Sequence, residues 1–184
     1  HTNDRRQRQM CIRDSKYIAG ALFAGSIVGY FAATKVKMTS MPEMVAIFNG
    51  FGGIASLLVG SAEYVSGTFD NSAFLGAIFL TVLIGGLTFS GSIIAYGKLS
   101  EVISGKPYLY KGQQFVNGIL LIAIFLVGIN MLFIQGFISS EETLILLIVL
   151  AFILGILFVI PIGGADMPVV IALLNSFSGL AACA

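Results

Sequence analysis

Ionisable side chains are scarce in this sequence. Charged residues make up 10% of the chain, and its one histidine is the first residue. Its two cysteines, Cys11 and Cys183, are too few and too far apart to indicate a metal site or a disulfide framework. The sequence also contains no P-loop, no GxGxxG motif after a predicted strand and no HExxH motif. The chain therefore carries no motif for nucleotide chemistry of its own. We predict neither a bound metal nor a nucleic-acid partner.

Apolar residues dominate instead. They make up 57% of the chain, and the mean hydropathy is +0.97. They fall in runs long enough to cross the roughly 30 Å hydrocarbon core as helices of about 20 residues, and they do not alternate as barrel strands do. We predict an all-α, polytopic transmembrane bundle of about six helices: Tyr17–Ala33, Met44–Tyr64, Ala73–Tyr96, Phe115–Phe133, Thr143–Ile160 and Met167–Ala184. We expect the last helix to be truncated, because its run has no polar flank.

The start of the chain has a different composition. The segment HTNDRRQRQMCIRDS is polar and basic, and it lacks the short apolar core of a signal peptide. It resembles translated sequencing-adapter sequence, and the alternative is a disordered basic tail. We therefore predict that residues 1–16 are a non-native or disordered tail and that residues 17–184 form the transmembrane domain.

The loop charges predict an orientation. Lysines fall in the first and third loops, whereas the second and fourth loops carry acidic residues and no lysine or arginine: the lysines are Lys35, Lys37, Lys98, Lys106 and Lys111. By the positive-inside rule, loops one, three and five face the cytoplasm. The basic N-terminal segment argues for the opposite orientation, and we follow the two loops. The fifth loop carries Asp166, which can cap the next helix, be presented to a docked partner, or do both.

The middle of each predicted segment contains no ionisable side chain, so the sequence offers no evident titrating proton carrier. The polar side chains in these segments are amides and hydroxyls instead. Asn49 and Asn175 need several hydrogen-bond partners where bulk water is missing. This favours either a water-filled path through the membrane or an interhelical hydrogen bond. Ser90 and Ser176 are the hydroxyls that we assign to the same path. The alternative for each serine is a hydrogen bond to its own backbone.

Small residues predict where helices pack closely. Gly25 and Gly29 form a GxxxG pair in the first helix, and Gly86 forms a small-xxx-small pair with Ser90 in the third. In contrast, the segment Thr143–Ile160 is almost wholly leucine, isoleucine, valine and phenylalanine. We expect that helix to be peripheral and to face lipid.

Three stretches together resemble the membrane domain of the beta subunit of proton-translocating NAD(P) transhydrogenase. They are KVKMTSMPEMVAIFNGFGGIASLLVGSAEY (35–64), GGLTFSGSIIAYGKL (85–99) and GGADMPVVIALLNSFSGLAA (163–182), and the resemblance runs from about Tyr17 to the end. It implies an enzyme of the bacterial inner membrane that transfers hydride from NADH to NADP⁺, driven by protons returning to the cytoplasm. The NAD(H) domain would lie in the alpha subunit, and the NADP(H) domain would follow the membrane helices of the beta subunit. This chain would then bind neither cofactor, contain no catalytic residue and be inactive alone.

The resemblance also implies partners and residue roles. The complex is a dimer of alpha–beta units, so the expected partners are an alpha subunit, a second beta subunit and membrane lipid. Asp166 matches the acidic residue on the cytoplasmic loop beneath the NADP(H) domain, where it is implicated in coupling. Asn175 matches an amide in the helix that lines the proton path. The chain is accordingly expected to be a fragment of a longer subunit.

Two other classes of protein remain open on the residues alone. A small polytopic secondary transporter or channel without redox activity would be built from small-residue helices around a polar midplane. Such a protein predicts inverted repeats with matched broken helices, and we find no internal similarity between the two halves. A purely structural membrane subunit would leave Asn175 and Asp166 replaceable.

Overall fold

The computed structural model describes residues 2–66, 72–134 and 140–183, and every regular element in those ranges is a helix. The chain divides into two compact units, His1–Met41 and Pro42–Ala184. The first unit contains helix α1, Thr2–Lys35, followed by a 3₁₀ turn, Met38–Ser40. Helix α1 thus includes residues 2–16, which the sequence analysis assigns to a tail. The non-native origin of that segment stays a prediction.

The second unit contains the other five helices. These are α2 (Met41–Ser66), α3 (Ser72–Leu99), α4 (Gln113–Ile129), α5 (Ser140–Val159) and α6 (Met167–Cys183). A π-helical turn, Asn130–Ile134, extends α4, and a 3₁₀ turn, Gly164–Asp166, precedes α6. Across the described ranges, six helices are long and apolar enough to cross a membrane, which confirms the predicted all-α polytopic bundle.

Helix α3 is the centre of the second unit, because both apolar clusters form around it. One cluster joins α3 to α2, α4 and α5, and includes Leu57, Leu75, Val82, Ile124 and Leu147. The other joins α3 to the first halves of α2 and α6, and includes Ala46, Ala95, Met167, Ile171 and Leu174. Every other helix of this unit therefore packs part of its buried surface against α3.

Helices α2 and α3 touch through their backbones. A Cβ atom added to Gly53 would lie 2.9 Å from the carbonyl oxygen of Gly85, and one added to Gly85 would lie 2.7 Å from the carbonyl oxygen of Gly53. Real Cβ atoms are not found so close to a carbonyl oxygen. Only glycine at both positions permits this crossing, as is usual where membrane helices approach closely.

Helices α3 and α5 also cross closely, at Gly155. A Cβ atom there would overlap the hydroxyl oxygen of Ser90 and the carbonyl oxygen of Leu87. Leu147, Ala151 and Val159 of α5 are fully buried, while Ile145 and Val149 are exposed. One face of α5 is therefore packed, so the prediction of a peripheral helix is wrong for that face. Contact of the exposed face with lipid stays a prediction.

The small residues selected from the sequence have different surroundings. A Cβ atom on Gly86 would lie 2.8 Å from that of Ala151, so Gly86 is part of the α3–α5 crossing. Cβ atoms on Gly25 and Gly29 would meet nothing within 4 Å in the described part of the chain. Helix packing through that GxxxG pair stays a prediction.

We predict that Gly155→Ala destabilises the second unit by about 1–3 kcal/mol, because the methyl group must displace backbone and hydroxyl atoms of α3. The matched control is Gly118→Ala on α4, where an added Cβ meets nothing within 4 Å. Since alanine favours a helix over glycine by up to about 1 kcal/mol, the control is expected to be neutral or stabilising. Reversible unfolding in detergent mixtures, followed by circular dichroism, measures both changes. Equal midpoints for the two variants would contradict the close crossing.

Candidate functional site

Helices α2 and α6 begin with the same short sequence motif. MPEMVAIFNGFGG (41–53) and MPVVIALLNSFSG (167–179) share methionine, proline, alanine, asparagine, phenylalanine and glycine at matching positions. A three-residue 3₁₀ turn precedes each motif, at Met38–Ser40 and at Gly164–Asp166. The sequence analysis finds no similarity between the halves of the chain, and that statement is wrong at this short scale.

The repeated motif places two amides at the same depth. Asn49 and Asn175 each follow the methionine of their motif by eight residues, which is about 12 Å along a helix. The two helices are parallel, since α6 follows α2 by four helices and the beginnings of both pack in one apolar cluster. The repeat is consequently parallel, unlike the inverted repeats of many transporters.

A cleft of about 510 Å³ lies between α2 and α6. Its polar lining consists of Asn49, Asn175 and Ser178, and its apolar lining consists of Val45, Phe48, Gly52, Pro168, Ile171 and Ala172. The structure thereby brings together the two asparagines that the sequence selects as the strongest candidates. We call this space the α2–α6 cleft.

The two amides differ in their surroundings. Asn49 is buried, and its Nδ2 donates a hydrogen bond of 2.9 Å to the hydroxyl oxygen of Ser92 on α3. Asn175 is exposed, and within the described part of the chain its amide makes no hydrogen bond. An amide without a partner at membrane depth needs water or another helix, because leaving it unsatisfied costs about 1–3 kcal/mol. The α2–α6 cleft provides room for water beside it.

Hydroxyl groups of α3 continue from Asn49 along one face of that helix. Thr81, Thr88 and Ser92 are spaced by seven and four residues, which puts them on the same side. The hydroxyl of Ser178 on α6 has two acceptors, the hydroxyl oxygen of Thr88 at 3.4 Å and the carbonyl oxygen of Leu174 in its own helix at 3.3 Å. Thr81 donates to the carbonyl oxygen of Ala181 at 3.5 Å. We call Asn49, Ser92, Thr88, Ser178 and Thr81 the polar seam. The sequence analysis does not select its hydroxyls, although their spacing is the signal that could have revealed them.

The two serines assigned to the proton path lie elsewhere. The hydroxyl of Ser90 donates to the backbone carbonyls of Gly86 and Leu87, at 3.1 and 3.4 Å, on the side of α3 that faces α5. Ser176 is exposed on α6 and is not part of the cleft lining. Neither serine therefore lines the cleft that contains the two asparagines.

Asp166 ends the 3₁₀ turn directly before α6. Its side chain is exposed, and within the described residues its carboxylate accepts no hydrogen bond from the start of the helix. Nine residues, or about 14 Å along the helix, separate Asp166 from Asn175. The carboxylate is open to solvent or to a partner at the end of the helix that carries the free amide.

Lys98 is a feature that the sequence analysis misses, because it treats this lysine as an ordinary loop charge. Lys98 lies in the last turn of α3 and is only 4% exposed. Its ammonium donates to the carbonyl oxygens of Ile160 and Ile162, at 2.5 and 2.7 Å, just beyond the end of α5. A cation at a helix C-terminus is stabilised by the unpaired carbonyls and by the helix dipole.

The described residues contain no group of three or more histidine, cysteine, aspartate or glutamate side chains that could hold a metal ion. Among the same described residues, Lys98 is the one buried charged side chain. The chemistry available to the α2–α6 cleft is accordingly that of amides, hydroxyls and water.

The six apolar helices define a multi-pass α-helical membrane protein, with a polar cleft between two parallel helices. The chain belongs to the NAD(P) transhydrogenase beta subunit family, whose model matches residues 2–184. Two curated relatives, one from Rhodospirillum rubrum and one from a named strain of that species, are both called NAD(P) transhydrogenase subunit beta. Each is 39% identical over 174 residues, which cover 90% of this chain and 37% of the relative. The chain thus spans little more than a third of the length of these relatives.

We predict that Asn49 and Ser92 are energetically coupled. In a double-mutant cycle with Asn49→Ala and Ser92→Ala, the interaction free energy should be about 0.6 kcal/mol and at most about 1.7 kcal/mol, as for other hydrogen bonds between membrane helices. The control cycle pairs Asn175→Ala with Ser92→Ala, and these two changes should add without coupling. Unfolding in detergent mixtures measures each free energy. Coupling in the control cycle as large as in the first would contradict the assignment of the bond.

Proposed function

We propose that this chain is the membrane proton path of an NAD(P) transhydrogenase beta subunit. It would couple inward movement of protons to hydride transfer from NADH to NADP⁺, which takes place in nucleotide-binding domains outside this chain. The observation that carries the proposal is the unpaired amide of Asn175, which faces the hydrogen-bonded Asn49 across a cleft with room for water. Family membership supplies the reaction that such a path would serve.

The cleft suits a proton path made of water and amides. Each water occupies about 30 Å³ of liquid volume, so a cleft of about 510 Å³ has room for on the order of ten molecules. An amide both donates and accepts hydrogen bonds, and it can therefore hold waters in a chain without carrying charge itself. A proton can pass along such a chain without being stored on a buried side chain.

Asp166 is the proposed coupling residue. Its exposed carboxylate lies at the start of the helix that carries Asn175, so a displacement of α6 moves both groups together. Lys35, Lys37, Lys106 and Lys111 are exposed in the loops, and they favour a cytoplasmic position for loops one, three and five. In that orientation Asp166 faces the side on which the nucleotide-binding domains work.

The proposed partners follow from the proposed reaction. An alpha subunit would bring NAD(H), and another part of the beta subunit would bring NADP(H). We also propose a dimer of alpha–beta units in a lipid membrane. A secondary transporter is the second candidate. Transporters are built from inverted or from parallel repeats, so the parallel repeat is compatible with both functions, and family membership favours the transhydrogenase.

We predict that Asn175→Leu lowers the proton-driven rate of hydride transfer by about tenfold or more. Leucine offers no hydrogen bond to the waters of the proposed path. If the loss raises the barrier for proton passage by about 1–3 kcal/mol, as for other lost hydrogen bonds, the rate falls about tenfold for each 1.36 kcal/mol. The assay uses the complete alpha–beta enzyme in proteoliposomes, with and without an imposed proton gradient. The matched control is Gly179→Ala on the same helix, where an added Cβ meets nothing within 4 Å.

The two candidate functions give different results in this assay. A wild-type complex that moves a solute and shows no hydride transfer would refute the proposal in favour of the transporter. A variant Asn175→Leu with an unchanged gradient-driven rate would refute the assigned proton path but leave the enzyme class intact.

We predict that Asp166→Asn reduces the stimulation of hydride transfer by the proton gradient, because the exposed carboxylate loses its charge. Asp166→Glu keeps the charge on a side chain longer by one methylene, and it should retain most of the stimulation. Both variants should enter the membrane in normal amounts, since the carboxylate makes no hydrogen bond within the described residues. Equal stimulation in Asp166→Asn and wild type would contradict the coupling role.

A further inference from the structure

Lys98 has no part in the proton path described above, yet two backbone carbonyls hold its ammonium. Both carbonyls, from Ile160 and Ile162, belong to the segment between α5 and Asp166. The lysine is buried at the end of α3 and forms no ion pair with a carboxylate in the described part of the chain. These two hydrogen bonds link the end of α3 to the loop that follows α5.

Two backbone hydrogen bonds also join the loop after α3 to the segment between α5 and Asp166. The amide of Gly164 donates to the carbonyl oxygen of Gly105 at 2.8 Å, and the amide of Tyr108 donates to that of Ile160 at 3.3 Å. Ile160 therefore accepts hydrogen bonds from both Lys98 and Tyr108. Together these bonds tie the loop after α3 to the loop that ends in Asp166.

Helix α3 connects these hydrogen bonds between the two loops to the polar seam. Ser92, which accepts the hydrogen bond from Asn49, precedes Lys98 by six residues, or about 9 Å along the helix. A continuous helix transmits a shift over that length with little change of shape. A route of named contacts thus runs from the amide of Asn49 through Ser92 and Lys98 to the loop that carries Asp166.

We propose that Lys98 is a positioning residue for coupling: its ammonium fixes the loop after α5, and thereby holds Asp166 in a defined place relative to the polar seam. This inference rests on the proposed function, since it gives Lys98 a role in that same coupling. Lys98 itself touches neither the proton path nor a nucleotide.

We expect the fold to tolerate loss of the charge of Lys98. A cavity of about 430 Å³ adjoins this residue and is also lined by Ser104, Gly105 and Gly164. Water in that cavity can hydrate the space beside position 98. Methionine there fills a similar volume, so the helices should stay packed while the loop keeps only the backbone hydrogen bonds of Gly164 and Tyr108.

The test compares three variants of the complete alpha–beta enzyme in proteoliposomes. Lys98→Met removes the ammonium, Lys98→Arg keeps a cation with several donors, and Lys106→Met removes an exposed lysine of the same loop as a matched control. Each variant also carries spin labels on Leu80→Cys and Ala165→Cys, with the other cysteines of the enzyme replaced by serine. Both labelled positions are exposed, and position 80 reports on α3 about 27 Å from Lys98 along the helix.

We expect wild type, Lys98→Arg and Lys106→Met to give one narrow distribution of distances between the labels. Lys98→Met should lose that narrow distribution, and its gradient-driven hydride transfer should fall about tenfold, as expected when a charged hydrogen bond is removed. Recovery of both readouts in Lys98→Arg separates positioning from a general loss of structure.

Every other result overturns the proposal. A narrow distribution in Lys98→Met shows that the lysine does not position the loop, whatever the rate. A broad distribution with an unchanged rate shows that the position does not matter for coupling. Failure of Lys98→Met to accumulate in the membrane shows that the lysine serves the fold. If the wild-type enzyme shows no gradient-driven hydride transfer, the proposed function fails, and the distances still report separately whether Lys98 anchors the loop.

Discussion

The contact between the backbones of α2 and α3 is the constraint on which the rest of the second unit depends. Gly53 and Gly85 lie so close together that neither position has room for a Cβ atom. This approach allows the short side chain of Asn49 to reach Ser92. Because lipid gives no hydrophobic drive for helices to associate, close packing and such hydrogen bonds must hold the bundle together. Asn49, which is held against α3 in this way, also lines the α2–α6 cleft.

The repeated motif explains why two matching amides have different surroundings. Where α2 has Gly50 and Gly52, α6 has Ser176 and Ser178. A Cβ atom on Gly50 would lie 3.3 Å from that of Ser92, so glycine there lets Asn49 approach α3. In α6 the counterpart of Gly50 is Ser176, which is exposed, and Asn175 beside it makes no hydrogen bond to α3 in the described residues. One amide is thus fixed to α3, while the other remains free in the cleft.

Much of the fold and part of the site can be predicted from the sequence. Long apolar runs define the helices because the bilayer leaves few alternatives, and asparagines inside them stand out because an amide needs partners. The packed face of α5 cannot be predicted in this way, since that helix is apolar on all sides. Lys98 is missed because a basic residue at a helix end normally marks a loop. The bonds of Ser90 to its own helix depend on side-chain rotation, which composition does not reveal.

The burial of Lys98 also bears on the orientation argument. A lysine whose charge is held by carbonyls just beyond the end of a neighbouring helix contributes to packing, and it gives little evidence about the side of the membrane. Lys106 and Lys111 in the same loop are exposed, as are Lys35 and Lys37. The charge asymmetry between loops therefore remains without Lys98. Within the described residues Lys98 does not pair with Asp166, so the carboxylate is available to a partner, and this availability is what a coupling residue requires.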